Sequence, residues 1–303
     1  MQLKKAGVMK ITNFSSGQIN KPIFVVGSGR SGTTLIYRLL ASHRDLAWFS
    51  NWTDYFPKHP ELALLSRLAD YVDSPLLTKR KYWPIPDIEG IRILKSCNVY
   101  AQLWRLKRPV TAQDIPTSAS QKLIDIIKRH QRFQGKPRFI HKNISNSMRI
   151  PYLKAVFPDA KFIHVVRDGR AVAMSLKNVA FWKELDLWWT DYTPATWEAE
   201  GKDPLLLCGL HWQMQVNEIS AVAEKLPQHQ FYCIRYEDFV EDPIFWLNEL
   251  VQFSELDWDP KLETKVKQRR IRNMNGRWES AESPDSIALL EESLANTLKV
   301  FGY

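Results

Sequence analysis

Residues near position 30 combine small, hydroxylated and cationic side chains in a pattern suited to binding an anion. Residues 27–34 read GSGRSGTT and follow the apolar, β-branched run 23–26. A glycine-rich turn between a buried strand and a helix N-terminus directs free backbone N–H groups to one point, and the helix dipole favours negative charge there. We therefore expect an anion to be bound by Gly29, Arg30, Ser31, Gly32, Thr33 and Thr34.

One position separates this loop from the loops that bind nucleoside triphosphates. Those loops read GxxxxGK[ST], and Thr33 stands here where they carry lysine. That lysine reaches the β- and γ-phosphates beside a magnesium ion, so a triphosphate is poorly bound without it. The cation of this loop is instead Arg30. The pattern favours a donor with one compact 5′-anion and no metal ion.

A second group of polar residues follows another apolar run, in the stretch 165–175 that reads VVRDGRAVAMS. Arg167 lies at the carboxyl end of a predicted strand, where open α/β sheets bind ligands. Ser175 follows eight residues later, about two helical turns on. The planar guanidinium and the hydroxyl are suited to bind one phosphate from two sides. The alternative is an ordinary ion pair of Arg167 with Asp168 or Glu237.

Short apolar strands alternate with helical patterns along the chain, and this alternation predicts the fold. An α/β architecture follows, with three layers, a P-loop-like arrangement and a central, mainly parallel sheet flanked by helices. Residues 1–303 are predicted to form a single domain, with residues 1–20 as a flexible N-terminal tail. The strands are predicted at 23–26, 137–143, 161–166 and 230–234, and the main helices at 119–131, 150–157, 171–178 and 206–225.

The net charge of +9 is concentrated near the end of the chain, where residues 261–278 hold seven Lys or Arg and one Glu. A solvated basic helix, a nucleic-acid surface and a clamp on an extra nucleotide phosphate are the three interpretations. Nucleic acid is disfavoured, because the sequence has no zinc finger, no RNA-binding motif and no basic run interleaved with stacking aromatics.

Cysteine usage and hydropathy indicate the compartment. The three cysteines have unrelated spacings, which argues against a disulfide framework or a zinc site. No run of 18 uncharged apolar residues occurs, and the first residues lack an apolar stretch of signal-peptide length. We expect a cytoplasmic protein without a transmembrane segment.

The loop GSGRSGTT, followed by a leucine-rich helix, resembles the 5′-phosphosulfate loop of sulfotransferases. These enzymes transfer a sulfonate group from 3′-phosphoadenosine 5′-phosphosulfate (PAPS) and release 3′-phosphoadenosine 5′-phosphate. The resemblance assigns Arg167 and Ser175 to the 3′-phosphate, and Tyr236 in RYEDF to the adenine. A late glycine-and-arginine loop of the family closes over the 3′-phosphate, and Arg277 is the best match to it. The RDGRA motif is closer to the tyrosylprotein and bacterial branch than to the cytosolic phenol and steroid enzymes.

Sulfonate transfer makes two demands on side chains. Negative charge grows on the departing oxygen, and preorganised cations and amides stabilise it; we assign Arg30 and Lys142 to this role. A base must also take the proton of the acceptor. In the tyrosylprotein branch a glutamate follows the first helix, but Asn51 stands at the matching position. The candidates for the base are Glu89, His141 and Asp54, with none of the three as a fourth possibility.

Two aromatic segments, 48–56 and 181–197, are predicted to flank the cleft. They suit an acceptor with an apolar or sugar face, so we expect transfer to a hydroxyl or amine of a small molecule, a lipid or a carbohydrate. Two other functions stay open: a P-loop small-molecule kinase that uses ATP, and a nucleotide-binding module without catalysis. The sequence leaves the identity of the acceptor and the oligomeric state undetermined.

Overall fold

The computed structural model of the chain describes residues 19–67, 85–86, 89–100, 106–269, 271, 275 and 282–303. All strand pairings within the sheet are parallel, in the spatial order β2-β3-β1-β4-β5. The strands are β1 (Ile23–Val26), β2 (Leu46–Ala47), β3 (Arg138–Lys142), β4 (Lys161–Val166) and β5 (Phe231–Arg235). The strands predicted from the sequence match four of these to within one residue at either end.

Helices connect the strands, and none of those in the described residues is long and apolar enough to cross a membrane. They are α1 (Thr33–Leu40), α2 (Asn51–Tyr55), α3 (Ile91–Ser96), α4 (Thr117–Gln134), α5 (Ile150–Val156), α6 (Gly169–Lys177), α7 (Pro194–Ala199), α8 (Pro204–Ala223), α9 (Tyr236–Glu241), α10 (Pro243–Phe253), α11 (Pro260–Gln268) and α12 (Pro284–Val300). Short 3-10 segments cover Pro60–Leu65, Ala112–Asp114, Ile144–Met148, Ala180–Glu184 and Gln228–Gln230.

Strand β1 shows why the fold has three layers. Alternate side chains of a strand point to opposite faces of the sheet. Phe24 and Val26 pack with α4 and α5 on one face, whereas Ile23 and Val25 pack with α1, α10 and α11 on the other. Because both faces are covered, the strand is apolar throughout, as parallel sheets require. The predicted three-layer α/β fold is confirmed.

A third apolar cluster holds α6, α8 and α12 together around Trp212. Gly169 begins α6, and a Cβ there would lie 2.4 Å from Trp212 Cε3. The close contact fixes the start of α6 and therefore the direction in which Ser175 is presented. At the other end of the described chain, Ile19 is 5% exposed and belongs to the core. Residues 1–18 of the predicted tail lie outside the described part, so the tail stays a prediction.

Candidate active site

The loop between β1 and α1 has a backbone that only glycine accommodates at two positions. Gly27 has φ +149°, and a Cβ there would lie 2.5 Å from Val165 O. Gly32 has φ +88°, and a Cβ there would lie 2.3 Å from Tyr236 Cδ2. Ser147 holds the start of the loop, because its Oγ accepts from Gly27 N (3.0 Å) and donates to Gly27 O (3.1 Å). The loop is thus fixed before any ligand binds.

The start of α1 leaves polar groups for a ligand to satisfy. Gly32 is the N-cap, and no side chain in the described part of the chain caps the helix there. The first-turn N–H groups of a helix have no intrahelical acceptor, and those of Thr33 and Thr34 are among them. The Ser31 hydroxyl is buried and has no hydrogen-bond partner among the residues that the structure describes. These groups fit a bound phosphate or sulfate, as the sequence predicts.

Three of the predicted donor-binding residues lie together beside this loop. Arg30 is exposed and has a left-handed backbone, with φ +70°. Its Nε donates to Ser175 Oγ (2.9 Å), and Arg167 Nη1 donates to Arg30 O (3.0 Å). The Arg30 guanidinium therefore lies on the Ser175 side of the loop, with the residues assigned to the 3′-phosphate. The spacing of the two motifs did not indicate that contact.

Arg167 is 8% exposed, and burial lowers the pKa of its guanidinium. Its contacts in the described residues are with neutral groups: Arg30 O, Asn275 Oδ1 at 2.9 Å from its Nε, and the Tyr236 ring at 4.7 Å. The alternative of a direct ion pair with Asp168 is not realised, because Asp168 pairs with Arg170 (2.9 Å). Arg167 thus keeps a buried positive charge at the carboxyl end of β4.

Glu237 supports Arg167 indirectly. Its Oε1 accepts from Asp168 N (3.2 Å) and from the Asn275 side-chain amide, whose oxygen contacts Arg167. Its Oε2 accepts from the Tyr303 hydroxyl (2.5 Å), and burial raises the pKa of Tyr303. Sequence reasoning missed Asn275 and Tyr303, although Asn275 belongs to the late loop in which we placed a phosphate contact. Arg277, the predicted contact, lies outside the described residues.

At the end of β3, the Lys142 ammonium group and the Glu89 carboxylate form an ion pair. Lys142 Nζ donates to Glu89 Oε1 (2.5 Å), and the two side chains are 3% and 23% exposed. Glu89 Oε2 accepts from Ile144 N (3.2 Å). The sequence nominated Lys142 and Glu89 for separate roles, and the structure places them in contact.

The segment that carries Glu89 is attached to β3 through its backbone. Glu89 O accepts from His141 Nε2 (3.2 Å) and from Asn143 Nδ2 (2.6 Å). On its other side, Asp54 Oδ1 accepts from the N–H groups of Arg92 (2.8 Å) and Ile93 (3.1 Å) at the start of α3. These contacts hold the carboxylate of Glu89 against Lys142.

The contacts separate the three candidates for the base. His141 is 3% exposed, its Nδ1 accepts from Asn146 Nδ2 (3.2 Å), and burial lowers its pKa to about 3. It is a weak base with both nitrogens engaged, and it positions Glu89. Asp54 contacts the start of α3. Asn51, at the family's glutamate position, bonds Ile85 through its backbone and side chain (both 3.1 Å). The geometry favours Glu89.

The family model described as "Sulfotransferase family" matches residues 22–260. The chain belongs to the sulfotransferase family. A protein-tyrosine sulfotransferase of Drosophila melanogaster is 21% identical over 237 residues, which cover 78% of this chain and 38% of that protein. An omega-hydroxy-beta-dihydromenaquinone-9 sulfotransferase of Mycobacterium bovis is 27% identical over 265 residues, which cover 76% of this chain and 62% of that protein. The chain spans less than two thirds of either relative.

Two solved structures have the same fold as this sulfotransferase-family chain. A sulfotransferase of Mycobacterium avium superposes with a TM-score of 0.57 at 18% identity, covering 94% of this chain and 77% of that one. A sulfotransferase of Mycobacterium tuberculosis gives a TM-score of 0.54 at 16% identity, covering 92% and 77%. The expected family and its fold are thereby confirmed.

Proposed function

We propose that this chain transfers a sulfonate group from PAPS to an acceptor hydroxyl or amine, without a metal ion. The observation that carries the proposal is the convergence of Arg30, Arg167 and Ser175 beside the uncapped start of α1. When bound, PAPS supplies the sulfonate group and a phosphate leaving group. The α1 amides and Ser31 hold its 5′-anion, and Arg167 and Ser175 hold its 3′-phosphate. We reassign Arg30 from the departing oxygen to the 3′-phosphate, because its Nε contacts Ser175. Tyr236 remains assigned to the adenine.

Lys142 and Glu89 carry the chemistry in this proposal. Glu89 accepts the proton of the acceptor hydroxyl, and the acceptor oxygen then bonds to sulfur. Lys142 stabilises the negative charge that the departing phosphate oxygen gains. Because the two side chains are paired, a proton on Glu89 weakens its hold on the ammonium group. The charge of Lys142 then becomes available as the leaving oxygen needs it.

The acceptor belongs to a class that the relatives and the cleft suggest. The relatives' names specify a protein tyrosine and an omega-hydroxylated dihydromenaquinone, and both are hydroxyl acceptors. Exposed aromatic side chains occur in both predicted acceptor segments, with Tyr55 at 53%, Phe56 at 51% and Phe181 at 51% exposure. We propose a hydroxyl on a small molecule, a lipid or a carbohydrate with an apolar face.

Incubation with sulfur-labelled PAPS and a panel of hydroxyl acceptors tests the proposal. We expect labelled product with the wild-type chain and a strongly reduced yield with Lys142→Met. The rival kinase predicts magnesium-dependent phosphoryl transfer from ATP instead. The rival non-catalytic module predicts nucleotide binding with no transfer to any acceptor, and therefore no difference in product between the wild-type chain and Lys142→Met. Either result would contradict sulfonate transfer.

A further inference from the structure

An exposed surface of aromatic and basic side chains adjoins the segment that carries Glu89. We call it the α2–α3 surface, and it comprises Tyr55, Phe56, Lys58, Arg92 and Lys95. The two rings are 53% and 51% exposed, and the three cations are exposed as well. Single apolar residues are normal on protein surfaces, whereas neighbouring exposed rings bordered by charged groups mark an interaction surface.

Contacts between α2 and α3 hold this surface together. The Arg92 guanidinium lies over the Tyr55 ring at 4.4 Å. Lys95 follows Arg92 by three residues in α3, a spacing that places both on the same side of the helix. Asp54 Oδ1 accepts from Arg92 N (2.8 Å) and so fixes the start of α3 against α2. Because Glu89 lies three residues before Arg92, the surface borders the proposed base.

The surface is electropositive because the carboxylates next to it are already engaged. Asp54 is bonded to the start of α3, and Glu61 is bonded to His59 (2.8 Å). Within the described part of the chain, none of the three cations of the surface forms an ion pair. An anionic partner would therefore meet positive charges that no neighbouring carboxylate neutralises.

Exposed rings beside lysine and arginine are suited to the boundary of a lipid bilayer. Aromatic side chains partition to the interface between water and hydrocarbon, and cations are attracted to anionic headgroups. We propose that the α2–α3 surface docks on an anionic lipid bilayer, from which a hydroxylated lipid reaches Glu89 as the acceptor. The acceptor half of this inference rests on the proposed sulfonate transfer, and the docking half does not.

Co-sedimentation with vesicles tests the docking without PAPS or an acceptor. Vesicles of phosphatidylcholine are compared with vesicles of phosphatidylcholine mixed with phosphatidylglycerol. We expect the wild-type chain to bind the mixed vesicles on the order of 100-fold more tightly, since three cations contribute. Added salt should weaken this binding, because it screens exposed charges. Equal binding to the two kinds of vesicle would overturn the proposal.

Matched variants locate the docking surface. Phe56→Ser should weaken binding to the mixed vesicles by about tenfold, because an inserted ring is lost. Phe245→Ser is the control and should bind normally, since Phe245 is also 51% exposed but lies in α10, which packs on the other face of the sheet. Lys95→Gln should weaken binding, whereas Lys299→Gln, which changes an exposed lysine of α12, should not. Equal losses within either pair would overturn the assignment.

An acidic peptide is the rival partner for the same surface. Polyglutamate that binds the wild-type chain but not Phe56→Ser, with no binding of mixed vesicles, would assign the surface to a protein and overturn docking on a bilayer.

Sulfur-labelled PAPS separates this inference from the proposed function. We expect label transfer to a long-chain alcohol in mixed vesicles, and less transfer when the same alcohol is in phosphatidylcholine alone. Transfer to water-soluble acceptors without vesicle binding would overturn the present inference and leave sulfonate transfer intact. Vesicle binding that depends on Phe56, without transfer to any acceptor, would support the docking and contradict the proposed function.

Discussion

The two ends of the site differ in the groups that contact their positively charged side chains. Beside α1, the contacts of Arg30 and Arg167 with the described residues are a hydroxyl, a carbonyl, an amide and an aromatic ring. At the end of β3, Lys142 contacts a carboxylate. Charge left available at the first end suits an anion that stays bound throughout the reaction. Charge masked by a carboxylate at the second end suits a group that acts when a proton moves.

This difference predicts which substitutions affect binding and which affect turnover. Changes beside α1 should weaken nucleotide affinity, and changes at the end of β3 should lower kcat with little effect on affinity. Uniform binding contributes to KM, whereas interactions made only in the transition state contribute to kcat.

Glu89→Gln should give the largest effect, a loss of about 10²–10⁴ in kcat, because the base is removed. Affinity for 3′-phosphoadenosine 5′-phosphate should stay unchanged. Glu255→Gln is the control, since Glu255 also pairs with a buried lysine, Lys161, but is not assigned to the site. A normal kcat for Glu89→Gln would remove the base assignment and leave the donor site intact.

Lys142→Met should lower kcat by about 10²–10³, the usual effect of losing one preorganised donor. PAPS affinity should change little, because the contacts beside α1 persist. The comparison variant is Lys161→Met, whose lysine is equally buried and also ion-paired. It should reduce stability but not kcat in the folded fraction. Equal losses of kcat in both variants would show that Lys142 acts through stability.

Arg167→Ala should weaken binding of 3′-phosphoadenosine 5′-phosphate by about 10- to 150-fold, the equivalent of 1.5–3 kcal/mol for a charge-assisted hydrogen bond. Its analogue without the 3′-phosphate should bind nearly as before. Ser175→Ala should act in the same direction with a smaller effect. Calorimetry with both nucleotides measures the difference, and equal losses for the two would remove the 3′-phosphate assignment.

Tyr303→Phe should have the smallest effect, a loss of roughly 2- to 10-fold in the same affinity, because the hydrogen bond that is lost goes to Glu237 and acts on Arg167 only indirectly. Tyr303 positions Arg167 through two residues, because Glu237 accepts a hydrogen bond from Asn275 and Asn275 accepts one from Arg167. The effect should vanish in the Arg167→Ala background. An additive effect in the double variant would mean that Tyr303 acts only on general stability.

Much of the fold followed from the sequence because its signals are local. Strand β4 was predicted with its observed bounds. Its apolar residues Phe162, Ile163, Val165 and Val166 lie between a proline-containing turn and Arg167. The loop 27–34 was predicted because its glycines have one structural explanation. Gly32 indeed has a positive φ and a contact with Tyr236 that excludes a side chain.

The contacts that organise the site were not predictable, because they join distant parts of the chain. Glu89 and Lys142 are 53 residues apart, and Arg167 and Asn275 are 108 apart. Local pattern carries no information on such pairs. His141 was nominated as a base from its residue type, and only the structure shows Phe49 and Asn146 around it.

Calorimetric titration of the wild-type chain with two nucleotides tests the central claim most directly. One titrant is 3′-phosphoadenosine 5′-phosphate, and the other is ATP with magnesium. We predict that the first binds more tightly and that adding or chelating magnesium does not change its affinity, since amides and arginines hold both anionic groups. Tighter binding of ATP, dependent on magnesium, would contradict the account.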